Sequence, residues 1–425
     1  MIDNYLFKRD VNPGEHIIAT YYVESEEFLK AAKAIAIGQS IGNPEVRTER
    51  DTPEILENNL AKIIGAPEDF KSRTSGVVKI AYPLENFGEG DGVTQLLCTL
   101  MGGQMDIDSI TGCRLEEVEL SSEYLCQYSG PKFGMQNIKE RAGAISRPLL
   151  GGIVKPKTGI TVSELEGLVR ELLEGEVDFI KEDEILGNPS VCPYDERVPR
   201  IAGLVNEYAA KQGREIFYAP CINSDFPEFL RRAELASESG AKAIHLNFHA
   251  GLGAYNTLRQ ADLESAIFFQ KSGDKVLTGT GNRFSIAWPV VCTLARISGA
   301  DFIHAGMWGG YLSDSFENLS RVMENLKGGE NYFATVPSLS CGSNPGLVDT
   351  TRYNFGDDLM MNVGGAIQGH PAGTTAGAVA MRQAMAKPIG EDMKSYMQDK
   401  PELKAAIEKW GYTDIKTGEL LYKTN

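Results

Sequence analysis

From about residue 148 onward, short apolar runs alternate with longer amphipathic segments whose apolar positions recur at helical spacing. Such alternation is typical of repeated βα units that build a parallel sheet. Eight strands are predicted within LLGGIVKPK, VDFIKEDE, EIFYAPCIN, AIHLNFHAG, KVLTGTG, DFIHAGMW, NYFATVPSLS and DLMMNVGGA. Eight strands in roughly 240 residues match a (β/α)₈ TIM barrel in number and length. The tail after the last strand is predicted to add helices.

The first third of the chain has a different pattern, which predicts a smaller α+β domain. Strands are predicted in EHIIATYYVE, SGVVKIAYPLENF and RLEEVELSSEYLCQY, and helices in ESEEFLKAAKAIAIGQS and DGVTQLLCTLMGG. A βαββαβ arrangement of ferredoxin-like type fits this order. We therefore predict an N-terminal α+β domain over residues 1–147, and the barrel with its C-terminal helices over residues 148–425.

Polar residues interrupt the apolar runs where the predicted barrel strands end. The carboxyl ends of the strands form the active-site face of such barrels. The polar residues there are Lys155, Lys157, Lys181, Glu182, Asp183, Glu184, Asn223, His245, Asn247, His249, His304 and Ser340, and the eighth strand ends in Gly364 and Gly365. We expect the functional site among these residues.

The segment KEDE after the second strand carries the most chemical information. Lys181 and Asp183 are two positions apart and face the same side of a strand, and Glu184 joins them once the strand ends. Buried carboxylates need a partner, and clustered oxygen donors suit Mg²⁺. The alternative is a solvated acidic turn, which a short charge run alone would favour. The lysine pair on the neighbouring strand shifts the balance towards a metal site.

Lys155 and Lys157 flank a proline in IVKPKTG, which predicts that the first strand ends there and directs both lysines into the mouth. A lysine close to a metal has a lowered pKa and can act as a base or polarise a carbonyl. Two ordinary surface lysines are the alternative. The glycine-rich segment MNVGGAIQGHPAG favours phosphate binding, because phosphate sites in these barrels lie near strands seven and eight.

Composition and charge narrow the function classes. The net charge of −16 argues against nucleic acid as a partner, because a phosphate backbone requires a basic surface. No apolar run is long enough to span a membrane and no signal-peptide pattern opens the chain, so we expect a cytoplasmic protein. The seven cysteines form no CxxC pair, and we expect them to be reduced and not to bind zinc.

Four segments resemble, in order and spacing, the signature segments of the RuBisCO large chain and of RuBisCO-like proteins. They are GGIVKPKTG, VDFIKEDE, ISGADFIHAG and VGGAIQGHPAGTTAGA, and QYSGPKFGMQNIKERAG resembles the linker ahead of that family's barrel. The resemblance runs from about residue 75 to about residue 385. On these segments the chain is identified as a RuBisCO-like protein.

The resemblance implies a role for each matching residue. A CO₂-derived carbamate on Lys181 would bind Mg²⁺ together with Asp183 and Glu184, and Lys155 would be the acid or base at the enolising carbon. The implied catalytic residues are Lys155, Lys157, Lys181 and His304, and the implied substrate contacts are Ser340, Gly364 and Gly365, the two glycines through a phosphate. Family active sites form between two subunits, which implies a homodimer or a higher multiple.

Two departures concern the handling of CO₂ and of the substrate. Tyr311 falls where carboxylases have the lysine that holds CO₂, and a neutral side chain cannot stabilise a new carboxylate. After strand five carboxylases have His-Arg, whereas here either Thr280-Gly281 replaces that pair or Asn282-Arg283 supplies a shifted arginine. Arg283 is therefore a candidate substrate contact.

Further departures lie in the N-terminal domain. The family's asparagine that assists at the metal appears as Gly103, and its glutamate and Thr-Trp pair appear as Gly38 and Asn43-Pro44. The groups that bind the metal and enolise the substrate are retained. The resemblance thus implies a Mg²⁺-dependent enolate-forming enzyme rather than a ribulose bisphosphate carboxylase.

Several RuBisCO-like reactions share the enolate step, and they leave the substrate open. We expect decarboxylation or C–C cleavage of 3-oxo-isoapionate 4-phosphate. The alternatives are the 2,3-diketo-5-methylthiopentyl-1-phosphate enolase and the methylthioribulose phosphate isomerase of methionine salvage. The salvage enolases carry a different residue at the place of Lys157 and His-Pro after strand five, and neither feature is present. A catalytically inactive barrel with a binding or regulatory role is a further alternative, against which the retained metal and lysine residues speak.

Overall fold

The structure is a computed structural model and describes residues 2–46, 48–311, 314–329 and 331–422. The chain divides into two compact units: unit 1 comprises Met1–Ser129 and Gly273–Ser298, and unit 2 comprises Gly130–Ser272 and Gly299–Asn425. This grouping differs from the single predicted boundary between residues 147 and 148. The difference arises mainly because the segment after the fifth barrel strand pairs with the sheet of unit 1.

The described residues contain sixteen strands. They are β1 (Phe7–Lys8), β2 (His16–Glu24), β3 (Lys62–Ile64), β4 (Ser75–Pro83), β5 (Gly112–Glu119), β6 (Leu149–Ile153), β7 (Phe179–Lys181), β8 (Phe217–Ala219), β9 (Ala243–Asn247), β10 (Ala266–Gln270), β11 (Phe284–Ile286), β12 (Phe302–Gly306), β13 (Val336–Leu339), β14 (Met360–Val363), β15 (Tyr412–Thr413) and β16 (Leu420–Tyr422).

Eighteen α-helices lie in the same part of the chain. They are α1 (Asp3–Leu6), α2 (Phe28–Gly38), α3 (Pro53–Asn58), α4 (Gly92–Leu100), α5 (Ser122–Leu125), α6 (Met135–Arg141), α7 (Val162–Glu174), α8 (Tyr194–Gln212), α9 (Glu228–Glu238), α10 (Leu252–Gln260), α11 (Lys275–Thr278), α12 (Trp288–Ile297), α13 (Phe316–Asn325), α14 (Val348–Phe355), α15 (Gly365–Gln368), α16 (Thr374–Ala386), α17 (Met393–Tyr396) and α18 (Pro401–Trp410). None of the described helices has the length and apolar character needed to cross a membrane.

Eight strands of unit 2 form one parallel sheet in the order β8-β7-β6-β14-β13-β12-β10-β9. The two outer strands of this order meet through a parallel bridge between Cys221 and His245. His245 N donates to Pro220 O at 3.1 Å, and Ile222 N donates to His245 O at 3.1 Å. The sheet therefore closes on itself, and the predicted (β/α)₈ barrel is confirmed.

Apolar side chains fill the amino end of this barrel. The buried core includes the first residue of every barrel strand, namely Leu149, Phe179, Phe217, Ala243, Ala266, Phe302, Val336 and Met360. The rings of Phe179 and Phe302 pack with centroids 4.9 Å apart. Because each buried phenylalanine contributes about 1.5–3 kcal/mol, this end stabilises the fold. The carboxyl end is left for polar side chains.

Unit 1 is built on a mixed sheet with the strand order β1-β3-β4-β2-β5-β11. Its four central strands pair antiparallel, and α2 and α4 follow β2 and β4 along the chain. This is the βαββαβ order predicted for a ferredoxin-like domain. Two strands extend it at the edges: β1 pairs parallel with β3, and β11 pairs parallel with β5.

The position of the fifth barrel strand corrects the sequence prediction. KVLTGTG was predicted as this strand, but it contains the one-turn helix α11, and the fifth strand is β10. Thr278 Oγ1 donates to Asp274 Oδ2 at 2.7 Å across this turn. The β-branched residues of KVLTGTG imitate a strand, whereas AIFFQ is a continuous apolar run without alternation, which periodicity alone does not distinguish from a helix.

Two shorter predictions are corrected in part. The strand predicted over residues 114–128 ends at Glu119, and α5 follows it, with the hydroxyl of Ser121 accepting from Tyr124 N. The tail forms the predicted helices α17 and α18, but then a two-stranded antiparallel ribbon of β15 and β16. In both segments a short local hydrogen-bonding motif replaces a continuation of the preceding element.

Candidate active site

The KEDE segment begins on β7 and turns into the mouth of the barrel. Lys181 is the last residue of the strand, and both Lys181 and Asp183 are buried. Lys155 Nζ lies 2.6 Å from Asp183 Oδ2, and Lys157 Nζ lies 3.8 Å from Asp183 Oδ1. Lys181 Nζ lies 3.5 Å from Glu184 Oε2. Three lysines and two carboxylates from neighbouring strands thus meet in one group, which we call the lysine–carboxylate cluster.

Lys155 is positioned from the eighth strand as well as from the first. Gln368 Oε1 accepts from Lys155 N at 2.8 Å, and Gln368 Nε2 donates to Ile153 O. A Cβ added at Gly364 would lie 3.3 Å from Lys155 Cε. Gly364 therefore leaves room for the lysine side chain. Gln368 was not singled out from the sequence, where it is one polar residue in a glycine-rich turn.

Glu182 does not join the cluster, although the sequence groups it with its neighbours. Its side chain is fully buried. It accepts hydrogen bonds from Arg197 Nε at 2.9 Å and from Arg197 Nη2 at 3.0 Å. Tyr218 Oη donates to Glu182 Oε1 at 2.6 Å, and Cys221 N donates to Oε2 at 2.9 Å. Alternate residues of a strand face opposite sides, so Glu182 points away from the mouth while its neighbours line it.

Arg197 is the residue that holds the KEDE turn, and the sequence offered no signal for it. It lies on α8 and is fully buried. Besides Glu182 it donates to the carbonyls of Leu186, Gly187 and Cys192, at 2.7–2.8 Å. A planar guanidinium supplies several donors in fixed directions, so one side chain ties the strand end to the following loop. Arg197 is a positioning residue.

Glu184 is held by two residues outside the KEDE segment. Ser272 Oγ donates to Glu184 Oε1 at 2.9 Å, and Asn223 Nδ2 donates to the Glu184 carbonyl at 2.7 Å. Burial opposes ionisation of this carboxyl, but the charge of Lys181, together with hydrogen bonds, lowers its pKa to about 2. Glu184 is thus an anion at neutral pH and a strong oxygen donor.

Lys181 has the most unusual environment of the three lysines. Its Nζ donates to the Glu182 carbonyl at 2.9 Å and lies over the ring of Phe268. Burial lowers the pKa of this amine, against the opposing effect of Glu184 and Asp183. A lowered pKa increases the fraction of neutral amine, which is the form that reacts with CO₂.

The other predicted contacts lie on strands six to eight of the barrel. His304 is buried on β12, and burial together with the charge of Lys271 lowers its pKa to about 3, so its imidazole is neutral. Ser340 Oγ donates to Asn362 O at 2.9 Å. A Cβ added at Gly365 would meet nothing within 4 Å, so the space beside it is open.

Arg283 does not follow the fifth barrel strand, and its predicted position is corrected. It is exposed, belongs to unit 1, and accepts at its carbonyl from Cys113 N at 2.8 Å. The fifth strand ends at Gln270, and Lys271 follows it directly. The error follows from the misplaced fifth strand, because the cation was expected after KVLTGTG and not at the end of β10.

Comparison with known proteins identifies the family. The N-terminal domain of the ribulose bisphosphate carboxylase large chain matches residues 5–124, and its catalytic domain matches residues 134–410. The chain belongs to this family. The prediction of the RuBisCO large-chain superfamily is therefore confirmed, over a larger part of the chain than the signature segments cover.

Individual relatives within the family carry more than one activity. A ribulose bisphosphate carboxylase of Pyrococcus furiosus is 31% identical over 96% of this chain and 97% of its own length. A 2,3-diketo-5-methylthiopentyl-1-phosphate enolase of Geobacillus thermodenitrificans is 29% identical over 94% of this chain and 99% of its own. The octameric ribulose-1,5-bisphosphate carboxylase/oxygenase of Pyrococcus horikoshii has a similar structure, with a TM-score of 0.88, 30% identity and 96% of each chain covered. These relatives are enzymes.

The lysine–carboxylate cluster fits the Mg²⁺ and carbamate expected from the family. Among the described residues no three His, Cys, Asp or Glu side chains are placed to hold a metal, so Asp183 and Glu184 require a third donor. A carbamate on Lys181 would supply it. Converting that ammonium to a carbamate makes the local charge more negative by two, and a divalent cation restores it. The cluster thus keeps the same net charge in both states.

By the resemblance, Tyr311 falls at the position at which carboxylases carry the CO₂-holding lysine. It is 79% exposed, and a partial loss of water around its hydroxyl, together with Cys341, raises the pKa of that hydroxyl, which is therefore neutral at physiological pH. Gly38, Gly103 and Asn43, the other departures, lie in unit 1.

Proposed function

We propose that this member of the family is a Mg²⁺-dependent enzyme that forms an enolate on a phosphorylated ketose-like or 3-oxo sugar-acid substrate. The observation that carries the proposal is the lysine–carboxylate cluster, in which Lys155 Nζ lies 2.6 Å from Asp183 Oδ2 at the barrel mouth. Mg²⁺, when bound by Asp183, Glu184 and carbamylated Lys181, supplies positive charge that stabilises a negative substrate oxygen.

Lys155 is the residue proposed to move the proton. Its side chain is one-third exposed, so it reaches both the buried Asp183 and a substrate in the mouth. Asp183 orients the ammonium, and the main-chain bond from Lys155 N to Gln368 fixes the base of the side chain. Proton transfer by a positioned group of this kind contributes about 10²–10⁴-fold to a rate.

The remaining residues are proposed to bind the substrate. Lys157 places a second ammonium beside Asp183, where it offsets charge on the substrate. The neutral imidazole of His304 can donate or accept one hydrogen bond without adding charge. Ser340, Gly364 and Gly365 are proposed to contact the substrate, the two glycines through its phosphate, because they end strands seven and eight.

Carboxylation is not the proposed reaction. A CO₂ molecule added to an enolate becomes a carboxylate, which needs a cation beside it. At the lysine's position this chain has Tyr311, whose hydroxyl is neutral. Removal of CO₂ from a 3-oxo acid forms no new carboxylate, so it does not need a cation at this position. The bond to the carboxylate breaks, its electrons pass to the 3-oxo oxygen, CO₂ leaves, and Lys155 or water protonates the carbon.

The first proposed substrate is therefore 3-oxo-isoapionate 4-phosphate, with decarboxylation or C–C cleavage as the outcome. The second is the 2,3-diketo-5-methylthiopentyl-1-phosphate of methionine salvage, or the related methylthioribulose phosphate. The relatives named as enolases of that diketone, at 29% and 30% identity over 94% of this chain, favour the second candidate.

A panel assay in D₂O distinguishes these candidates. The protein is incubated with Mg²⁺, bicarbonate and each substrate, including ribulose 1,5-bisphosphate, and proton exchange and CO₂ release are followed by NMR. CO₂ release from the 3-oxo acid supports the first candidate, and turnover only of a methylthio substrate overturns it. Incorporation of CO₂ into ribulose 1,5-bisphosphate overturns the non-carboxylating proposal, and absence of exchange with every substrate supports an inactive barrel.

We also propose that the protein acts in the cytoplasm as a homodimer or a multiple of it, with the active site shared between subunits. The related carboxylase/oxygenase of Pyrococcus horikoshii is octameric, and that of Hyperthermus butylicus is dimeric. Sedimentation measurements with and without Mg²⁺ test the assembly. A monomer that retains activity at nanomolar concentration would contradict the shared site.

A further inference from the structure

Lys271 brings a fourth lysine to the barrel mouth, from a strand other than those that carry the lysine–carboxylate cluster. It directly follows β10, and its side chain is only 12% exposed. Its charge contributes to the low pKa of His304, after burial. A buried ammonium beside a proposed substrate contact is a natural receptor for a phosphate or carboxylate of the substrate.

A carboxylate of the chain already forms an ion pair with this ammonium group. Asp314 Oδ1 lies 3.3 Å from Lys271 Nζ. Asp314 itself is held by the strand end of β12, because Oδ2 accepts from Met307 N at 3.0 Å and Asp314 N donates to Met307 O at 2.6 Å. The backbone of Met307 therefore holds both the carboxylate and the main chain of Asp314.

The strand end is shaped to admit this carboxylate. Gly306 has φ +130, and a Cβ added there would lie 2.2 Å from Asp314 Oδ2 and 3.6 Å from Lys271 Nζ. Any side chain at Gly306 would displace the aspartate. Gly306 thus makes the pairing of Asp314 with Lys271 possible.

The two sides of the mouth consequently differ in charge. The lysine–carboxylate cluster has three lysines and two carboxylates. At the ends of the fifth and sixth strands, Lys271 is matched by Asp314, and His304 is neutral. An anionic group of the substrate is attracted to the first side, whereas at the second side it meets a fixed carboxylate.

We propose that Asp314 is a specificity-determining residue, which by neutralising Lys271 restricts the site to substrates with a single phosphate and rejects those with a second one. This inference rests on the proposed function for the location of the substrate in the mouth. The selected substrate class is a phosphorylated oxo compound that carries no second phosphate. A sugar bisphosphate is rejected because its second phosphate would have to displace Asp314 from Lys271.

The test compares the binding of two probes to the wild type and to Asp314→Asn. Asparagine keeps an oxygen that accepts from Met307 N, so the variant removes the charge and retains the local hydrogen bond. Dissociation constants for ribulose 1,5-bisphosphate and ribulose 5-phosphate are measured by calorimetry with Mg²⁺ and bicarbonate. We expect the bisphosphate to bind at least about tenfold more tightly to the variant and the monophosphate to change less than about threefold.

Two further variants keep the test decisive. Asp399→Asn removes an exposed carboxylate that pairs with Lys400, and it is expected to change neither constant. Lys271→Gln combined with Asp314→Asn removes the receptor and is expected to abolish the gain for the bisphosphate. If Asp314→Asn fails to fold, Lys271→Gln alone is measured. It removes the cation beside Asp314, so we expect the bisphosphate to bind at least about threefold more weakly relative to the monophosphate, and an unchanged ratio overturns the inference.

A bisphosphate that binds Asp314→Asn no better than the wild type, or not at all, overturns the inference. An equal gain for both probes also overturns it, because the effect would then be one of general charge. The outcome is separable from that of the proposed function. Binding ratios report on Asp314 even if no substrate undergoes exchange in D₂O, and exchange can occur although the ratios do not shift.

Discussion

Asp178 and Asp183 lie five residues apart at opposite ends of the same barrel strand, and both are buried. Asp178 forms ion pairs with three arginines: Arg147 at 2.6 Å, Arg214 at 2.8 Å and Arg382 at 2.6 Å. Asp183 faces two lysines at the other end, at 2.6 and 3.8 Å. One strand thus carries an arginine-bound carboxylate at its amino end and a lysine-bound carboxylate at its carboxyl end.

The difference in cation explains the difference in role. A guanidinium stays protonated and donates in fixed directions, so the arginines tie Asp178 into the fold permanently. Burial opposes the ionisation of Asp178, but Arg382 and Arg147 outweigh it and lower the pKa of the carboxyl. An ammonium is a mobile point charge that can give up a proton, which suits the proton transfer proposed for Lys155 beside Asp183. Removing Asp183 should therefore mainly reduce activity, whereas removing Asp178 should mainly reduce stability.

The largest effect is expected for Asp183→Asn. We expect enolate formation to fall by about 10³-fold or more, because several kcal/mol of charge stabilisation at the proposed metal are lost. The free energy of unfolding should change little, since the substitution also relieves the cost of burying an anion. Proton exchange in D₂O measures the first quantity and urea unfolding the second. A large loss of stability with full activity would reverse the roles given to the two ends.

Asp178→Asn should have the next largest effect, and on stability. Three arginines would be left without their carboxylate, which we expect to cost about 3 kcal/mol in the free energy of unfolding. Activity per folded molecule should stay within a few-fold, because the site lies at the other end of the strand. Urea unfolding is compared with that of Asp399→Asn, whose exposed pair should contribute little. A free energy of unfolding equal to that of the control would contradict the structural role of Asp178.

Arg197→Lys sharpens the comparison at the carboxyl end. Lysine keeps the charge beside Glu182 but loses the two-pronged bond and the contacts to three carbonyls. We expect a loss of about 2 kcal/mol in stability and a weaker apparent affinity for Mg²⁺, because the KEDE turn is no longer held. Arg200→Lys, at an exposed position on the same helix, is the matched control. Unchanged Mg²⁺ dependence in Arg197→Lys would show that the turn is rigid without it.

The pH dependence of stability should show the smallest effect per pH unit and separate the two ends. Folding lowers the pKa of His304 to about 3 from an ordinary 6.5, so the unfolded chain binds more protons between these values. Stability is then fully present above about pH 6.5 and falls as the pH decreases, by roughly 1.4 kcal/mol per unit for one histidine. Above pH 4.5, His304→Gln should lower the pH slope of the unfolding free energy by the amount that corresponds to one proton. Asp178→Asn should leave this slope unchanged. His245, whose pKa burial lowers well below its ordinary value, accounts for a second proton.

Much of the fold and part of the site could be predicted from local patterns. The barrel and the ferredoxin-like order follow from the alternation of apolar runs and amphipathic segments, which depends on the neighbours of each residue along the chain. The placement of Lys181 and Asp183 on the same side of the strand follows from its twofold period and from the end of the apolar run. The family segments added the roles proposed for these residues.

Other features depend on residues that are far apart along the chain. The sequence places Glu182 beside its acidic neighbours, and only the packing of α8 assigns it to Arg197 instead. The fifth strand and the cation at its end were missed, because an apolar run without alternation has no distinguishing period. The pairing of Lys271 with Asp314 joins two loops across 43 positions.

The sequence by itself determined that a barrel with lysines and carboxylates at its mouth would form, since periodicity and strand ends are local properties of the chain. The tertiary structure alone decided which of the charges are paired with one another. Charge pairing depends on distances of a few ångströms between elements that are remote in sequence, and no spacing along the chain specifies such distances.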